Sequence, residues 1–130
     1  MAYGTSRVEA ATAPLILVVD DNDDLRELLA MALGERGYRV ALAENGSTAL
    51  DAIVREKPAL ILLDMRMPVM DGWAFVREFR ERYSRSIPIL VMTAAQDARL
   101  RTEEVGADAY LGKPFELEDL YRAVEDAVLD

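Results

Sequence analysis

Five times along this chain a short apolar run gives way to a longer segment patterned like an amphipathic helix, and that alternation constrains the fold most. The runs are Leu15–Val19, Tyr38–Leu42, Leu60–Leu63, Ile87–Met92 and Ala109–Leu111. Most are continuous rather than alternating, as expected of strands covered on both faces. Helices are predicted between and after them, over 22–36, 46–56, 71–84, 97–105 and 116–129. The first places Leu25, Leu28, Leu29, Ala32 and Leu33 on one face, with Gly37 behind them as a C-terminal cap. The last carries Leu117, Leu120, Val124, Ala127 and Val128 as a stripe. The segment 97–105 offers only Ala98, Leu100 and Val105, so it is expected to attach loosely. Strand–helix alternation with short connections implies an α/β, doubly wound parallel sheet with helices on both sides.

At 130 residues the chain has room for one domain. Residues 1–13 (MAYGTSRVEAATA) are small and polar, without the apolar block of a secretory signal, and read as a disordered leader before a domain over 14–130. The apolar runs fall far short of the ~20 residues a bilayer helix needs. There is no cysteine, which removes disulfides and thiolate metal sites. There is no histidine either, so any chemistry falls to carboxylates, hydroxyls or lysine. A net charge of −9 argues against direct nucleic-acid binding.

In a doubly wound sheet, ligands bind beyond the carboxyl ends of the strands. The polar residues there are Asp20 and Asp21 after the first run, Asp64 after the third, Thr93 after the fourth and Lys113 after the fifth. Singly, each has an ordinary reading. An aspartate there can be a helix N-cap or a strand terminus, Thr93 a β-branched strand residue, Lys113 a solvated loop lysine. Together they bring three carboxylates, one hydroxyl and one ammonium to a single rim. Two like charges ~4 Å apart repel by about 4 kcal/mol at an effective dielectric near 20. A lone lysine does not balance three acids, so the cluster reads as a site for a hard cation and phosphate, with Mg²⁺ the fitting ion.

The segments LILVVDDN (15–22), LILLDMRMPVMDGW (60–73), ILVMTA (89–94) and AYLGKPF (109–115) resemble the receiver domain of bacterial two-component response regulators, in order, spacing and strand context. The resemblance covers residues 15–129 and implies a flavodoxin-like (βα)5 fold with strand order 2-1-3-4-5. It implies that Asp64 takes a phosphoryl group from a phosphohistidine on a sensor histidine kinase or phosphotransfer protein. Mg²⁺, or Mn²⁺, would be held by Asp21, Asp64 and the backbone carbonyl of Arg66, with Asp20 acting through water. Lys113, Thr93 and the backbone N–H of Ala94 would bind the phosphoryl oxygens, and the Lys113–Pro114 bond would be cis. Thr93 and Tyr110 would form the switch, altering the face made by helix 97–105, the last strand and the last helix for an unknown downstream protein. A cytoplasmic signalling protein, monomeric or dimerising on phosphorylation, is the implied setting, whether stand-alone or part of a longer regulator or hybrid kinase. It would be a phosphoacceptor that promotes its own phosphorylation and dephosphorylation, not a dedicated enzyme.

Two positions depart from a common receiver pattern. Arg66 stands two residues after the acceptor and Ala95 two residues after the threonine, a pair expected to alter how fast water removes the phosphate. Asp71 is expected to cap the third helix. Three other readings compete. A haloacid dehalogenase-type phosphatase needs a second acid where Arg66 stands, and a flavin module needs a Ser/Thr/Gly-rich loop where this chain has DDNDD. A scaffold receiver unable to be phosphorylated fits poorly with the intact set of acids, threonine and lysine.

Overall fold

The computed structural model describes residues 13–67, 70–83 and 87–129. The elements alternate as β1 (Leu15–Val19), α1 (Asp23–Glu35), β2 (Arg39–Ala43), α2 (Gly46–Arg55), β3 (Leu60–Asp64), α3 (Gly72–Tyr83), β4 (Ile89–Ala94), α4 (Ala95–Val105), β5 (Ala109–Lys113) and α5 (Leu117–Leu129). The strands form one parallel sheet in the order β2-β1-β3-β4-β5, the doubly wound, flavodoxin-like arrangement. Among the described residues no helix is long and apolar enough to cross a membrane.

The three central strands β1, β3 and β4 are apolar over most of their length because successive side chains enter two different cores. Leu17, Val19, Ile61, Leu63, Ile89 and Val91 pack on one face with Leu50 and Ile53 of α2 and Phe75 and Phe79 of α3. Their neighbours Ile16, Val18, Leu60, Leu62, Leu90 and Met92 face the other way, against Leu29 and Leu33 of α1 and Leu120 and Val124 of α5. Burying a side chain of this size contributes roughly 1.5–3 kcal/mol each. The central strands are thereby locked in register, and so are their carboxyl ends.

Several boundaries move from the sequence reading. β2 and β4 each run later than the apolar runs, and β3, β4 and β5 continue into Asp64, Thr93–Ala94 and Lys113. Backbone ladders are indifferent to side-chain polarity, so pairing continues past the last apolar residue: Asp64 lies opposite Met92 and Lys113 opposite Ala94. Leu28 and Leu117, placed on buried stripes by their spacing, are instead 45% and 38% exposed, at the flanks of α1 and α5. Ala13, grouped with the leader, is buried, and its carbonyl accepts from Arg39 Nε at 3.0 Å; the rest of the leader, 1–12, lies outside the described residues. So do Pro68 and Val69 of the turn after Asp64.

α4 begins directly after β4, with Ala94 in the cap position and no side-chain cap bond. Of its described side chains only Ala98 is buried. A polar tie supplements that contact: Trp73 Nε1 donates to Glu104 at 3.2 Å, and the Arg101 guanidinium stands 5.5 Å from the Trp73 ring centroid.

The helix starts have individual chemistry. Asn45 caps α2 in a reciprocal box: its Oδ1 accepts from Thr48 N at 3.0 Å, and Thr48 Oγ1 accepts from Asn45 N at 3.2 Å. Asn45→Ala removes half of that box and is expected to cost about 1 kcal/mol. A melting midpoint roughly 3–6 °C lower would show it. An unchanged midpoint would mean that water or Thr48 alone satisfies the helix start.

Candidate functional site

The carboxyl edge of the sheet is built by register. Val19 pairs with Leu63, so Asp20 follows at the level of Asp64 on the neighbouring strand. Asp64 pairs with Met92, which places Thr93 one step beyond it, and Thr93 in turn pairs with Gly112, next to Lys113. Asp20, Asp64 and Thr93 are all buried, whereas Asp21 is exposed. One carboxylate oxygen from each of Asp20, Asp21 and Asp64 lies within 4.8 Å of the others.

Lys113 is the counter-charge. Its Nζ donates to Asp20 Oδ2 at 2.8 Å and stands 3.7 Å from Asp64 Oδ2. Burial pushes the Asp64 carboxyl up to about 6; Lys113 opposes this, Asp20 reinforces it, the Arg66 N–H opposes it and Asp21 reinforces it. That N–H donates to Asp64 Oδ1 at 3.3 Å. A carboxyl so placed resists its own charge, which a divalent cation among oxygen ligands would relieve. The donor set, three carboxylates with no nitrogen or sulfur ligand, suits Mg²⁺.

Asp20 is held from several sides. Its N–H donates to Ala43 O at 3.1 Å and its Oδ1 accepts from Asn22 N at 2.9 Å. Neither Asp20 nor Asp21 caps α1. That role belongs to Asn22, whose Oδ1 accepts from Leu25 N at 3.0 Å. Asp71 does cap α3, accepting from Ala74 N at 2.9 Å. The Lys113–Pro114 bond is cis.

The chain matches the model of the response regulator receiver domain over residues 16–125. It belongs to the response regulator receiver family. The receiver is 44% identical over 107 residues to response regulator MprA of Mycolicibacterium vanbaalenii, an alignment covering 81% of this chain and 46% of that protein. The chain thus spans about half the length of such curated relatives. A putative response regulator from Chloroflexus aurantiacus superposes with a TM-score of 0.84 at 32% identity, covering 91% of this chain and 99% of that one. The receiver domain of sensor histidine kinase PA1611 from Pseudomonas aeruginosa, with a magnesium ion coordinated in its active site cleft, superposes with a TM-score of 0.81 at 31% identity over 91% of this chain and 99% of that chain.

The receiver's structure therefore brings Asp20, Asp21, Asp64 and Lys113 together, with Thr93 and Ala94 at the adjoining strand end. Tyr110 stands apart, 49% exposed on the edge strand β5 and level with Val91. Two residues went unremarked in the sequence reading. Asn22 fixes Asp20 and caps α1 at once, and Arg26 donates through Nη1 to the Asp20 carbonyl at 2.5 Å. The signal for Arg26 was its place as the first basic residue after the DDNDD acids.

Proposed function

We propose that this receiver accepts a phosphoryl group onto Asp64 from a phosphohistidine on a sensor histidine kinase or phosphotransfer protein. In that step the P–N bond to the histidine breaks as a P–O bond to an Asp64 carboxylate oxygen forms. Supporting the reading most strongly is the meeting of three carboxylates within 4.8 Å around an aspartate that resists ionisation, with one lysine to share among them.

Mg²⁺ (or Mn²⁺), held by Asp21, Asp64 and the Arg66 carbonyl with Asp20 through water, would neutralise charge on the phosphoryl oxygens. The protein's own groups do the rest. Lys113 is tied to Asp20 and close to Asp64, and it can turn its ammonium to a phosphoryl oxygen as a point charge. Thr93 offers its hydroxyl and Ala94 its backbone N–H from the end of β4. Thr93 turning toward phosphate would free space for Tyr110, changing the α4–β5–α5 face on which a downstream protein docks. α4, which among its described side chains buries only Ala98 and adds half-buried Val105 and the Trp73 tie, is suited to move.

A groove of about 700 Å³ borders the acceptor edge, lined by Asn22, Leu25, Leu28, Pro114, Phe115 and Leu117 among others. Its apolar floor gives a kinase or phosphotransfer domain a place to seat beside Asp64. The proposed setting is the cytoplasm, with no membrane or nucleic-acid contact of its own, as a monomer or a phosphorylation-dependent dimer.

The test is intact mass after incubation with acetyl phosphate and MgCl₂. The native chain is expected to gain one phosphoryl group, and Asp64→Asn none. Equal labelling of both would place the acceptor elsewhere, and labelling of neither would refute the function. The same assay reads the phosphate lifetime. Arg66 is exposed beside the acceptor and would shield the acyl phosphate from water, so Arg66→Asn is expected to shorten the lifetime severalfold. An unchanged decay would remove Arg66 from the account.

A further inference from the structure

The segment Asp20–Asp24, which leads from β1 into α1, carries four acids and, by the proposed function, presents a metal ligand from an exposed residue, Asp21. An exposed carboxylate is aimed by its backbone, so whatever fixes the flanking peptides fixes the ligand. On one side the Asp20 side chain accepts from Asn22 N at 2.9 Å, closing a turn around Asp21. On the other, the Asp20 carbonyl, which belongs to the peptide leading into Asp21, accepts from Arg26 Nη1 at 2.5 Å. The second arm of that guanidinium pairs with Asp23.

The burial of the two partners shows which contact matters. Asp23 is 80% exposed, and a pair with so solvated an acid contributes little. The Arg26 side chain is only 14% exposed and is drawn inward to the backbone. Arg26 also sits one turn into α1, where its own N–H donates to Asn22 O at 3.0 Å. The helix start and the loop are thus braced together by one residue. A guanidinium does this as a rigid fork, which a lysine ammonium does not reproduce.

We infer that Arg26 is a positioning residue for the divalent cation: it pins the Asp20–Asp21 peptide so that Asp21 faces Asp64. This rests on the Mg²⁺ reading proposed above. The sign of the effect separates positioning from charge. Arg26→Gln removes a positive charge from the neighbourhood, which by electrostatics alone would tighten cation binding; loss of the brace would weaken it.

The experiment is a calorimetric titration of the chain with MgCl₂, with a melting curve on each variant. For Arg26→Gln the Kd is expected to rise about tenfold, the scale seen when supports behind metal ligands are removed. Asp23→Asn leaves the carbonyl brace in place and is expected to change the Kd by less than about twofold. Equal or tighter binding by Arg26→Gln would overturn the inference, as would an equal loss in Asp23→Asn. If Arg26→Gln does not fold, Arg26→Lys decides, with weaker binding than native expected and unchanged binding overturning the inference. Native protein that takes up no Mg²⁺ would sink the proposed function and this inference together. Native binding and labelling, with Arg26→Gln unaffected, would sink the inference alone.

Discussion

Without divalent cations at pH 8, Asp64→Asn is expected to melt higher than the native chain. Burial leads the causes that raise the Asp64 carboxyl from 3.8 to about 6 in the folded protein. Between those values the folded state binds more protons than the unfolded one, so stability falls as pH rises through the window. Above pH ~6 the cost is fully present, and below pH ~4 it is absent. Two pKa units correspond to about 3 kcal/mol. The site opens on solvent, which screens the interaction, so about 1–2 kcal/mol is the effect to expect. Asparagine removes that cost while its Oδ1 can still accept from the Arg66 N–H. Excess MgCl₂ is expected to reverse the order, because a ligand at a hundred times its Kd stabilises by about 2.7 kcal/mol and, on the proposed function, Asp64→Asn lacks a ligand carboxylate. Melting curves of both chains at pH 4 and 8, with EDTA or MgCl₂, provide the check. An asparagine variant no more stable than native in EDTA at pH 8 would show that Asp64 is not strained by its charge.

What could be read from the chain follows from which interactions are local. β1 and β3 are apolar at every position up to Asp64 because both faces are covered, so they were legible as runs. The ends of β4 and β5 were less so. Thr93, Ala94 and Lys113 pair as strand through their backbones, and nothing in a side-chain pattern reports that. Helical spacing groups Leu25, Leu28 and Leu29, yet the tilt of α1 on the sheet is a tertiary quantity, and it leaves Leu28 half exposed.

The candidate site was legible in membership rather than in pairing. Its acids, threonine and lysine stand at strand ends, and strand ends of a parallel sheet share one edge. That Lys113 lies 2.8 Å from Asp20 but 3.7 Å from Asp64 depends on how far its side chain reaches from β5 toward β1, across two intervening strands. Asn22, adjacent to the first helical residue Asp23, is the cap, while Asp20 is engaged by Lys113 and by the Asn22 N–H. Arg26 could not be assigned a partner beforehand, since its reach to the Asp20 carbonyl exists only once the loop has turned back on α1.

The second large effect lies in the turn that leaves Asp64. Gly72 N donates to Met65 O at 3.1 Å, bringing the start of α3 against the residue that follows Asp64. A Cβ built on Gly72 would stand 2.6 Å from Met65 Sδ and 2.7 Å from Met65 Cα. The thioether can swing aside, but the Cα cannot without moving the peptides on either side, which join Met65 to Asp64 and Arg66. Across the same turn, a Cβ on Gly46 would meet the Met70 carbonyl oxygen at 2.9 Å, so the segment has little room to retreat that way. Gly72→Ala is therefore expected to destabilise by about 2–3 kcal/mol, the range of an overpacked interior. That is roughly 6–18 °C in melting midpoint, with weaker Mg²⁺ uptake expected on the proposed function because the Asp64 carboxylate and the Arg66 carbonyl move together. Gly34→Ala is the control. It lies inside α1, and beyond its chain neighbours and the helix's own backbone no atom lies within 4 Å of the position of its Cβ, so alanine there is expected to stabilise by about 0.5–1 kcal/mol. If Gly72→Ala melts with the native chain, the turn yields more easily than this contact allows. If it destabilises but binds Mg²⁺ with native affinity, the contact holds α3 in place without aiming Asp64.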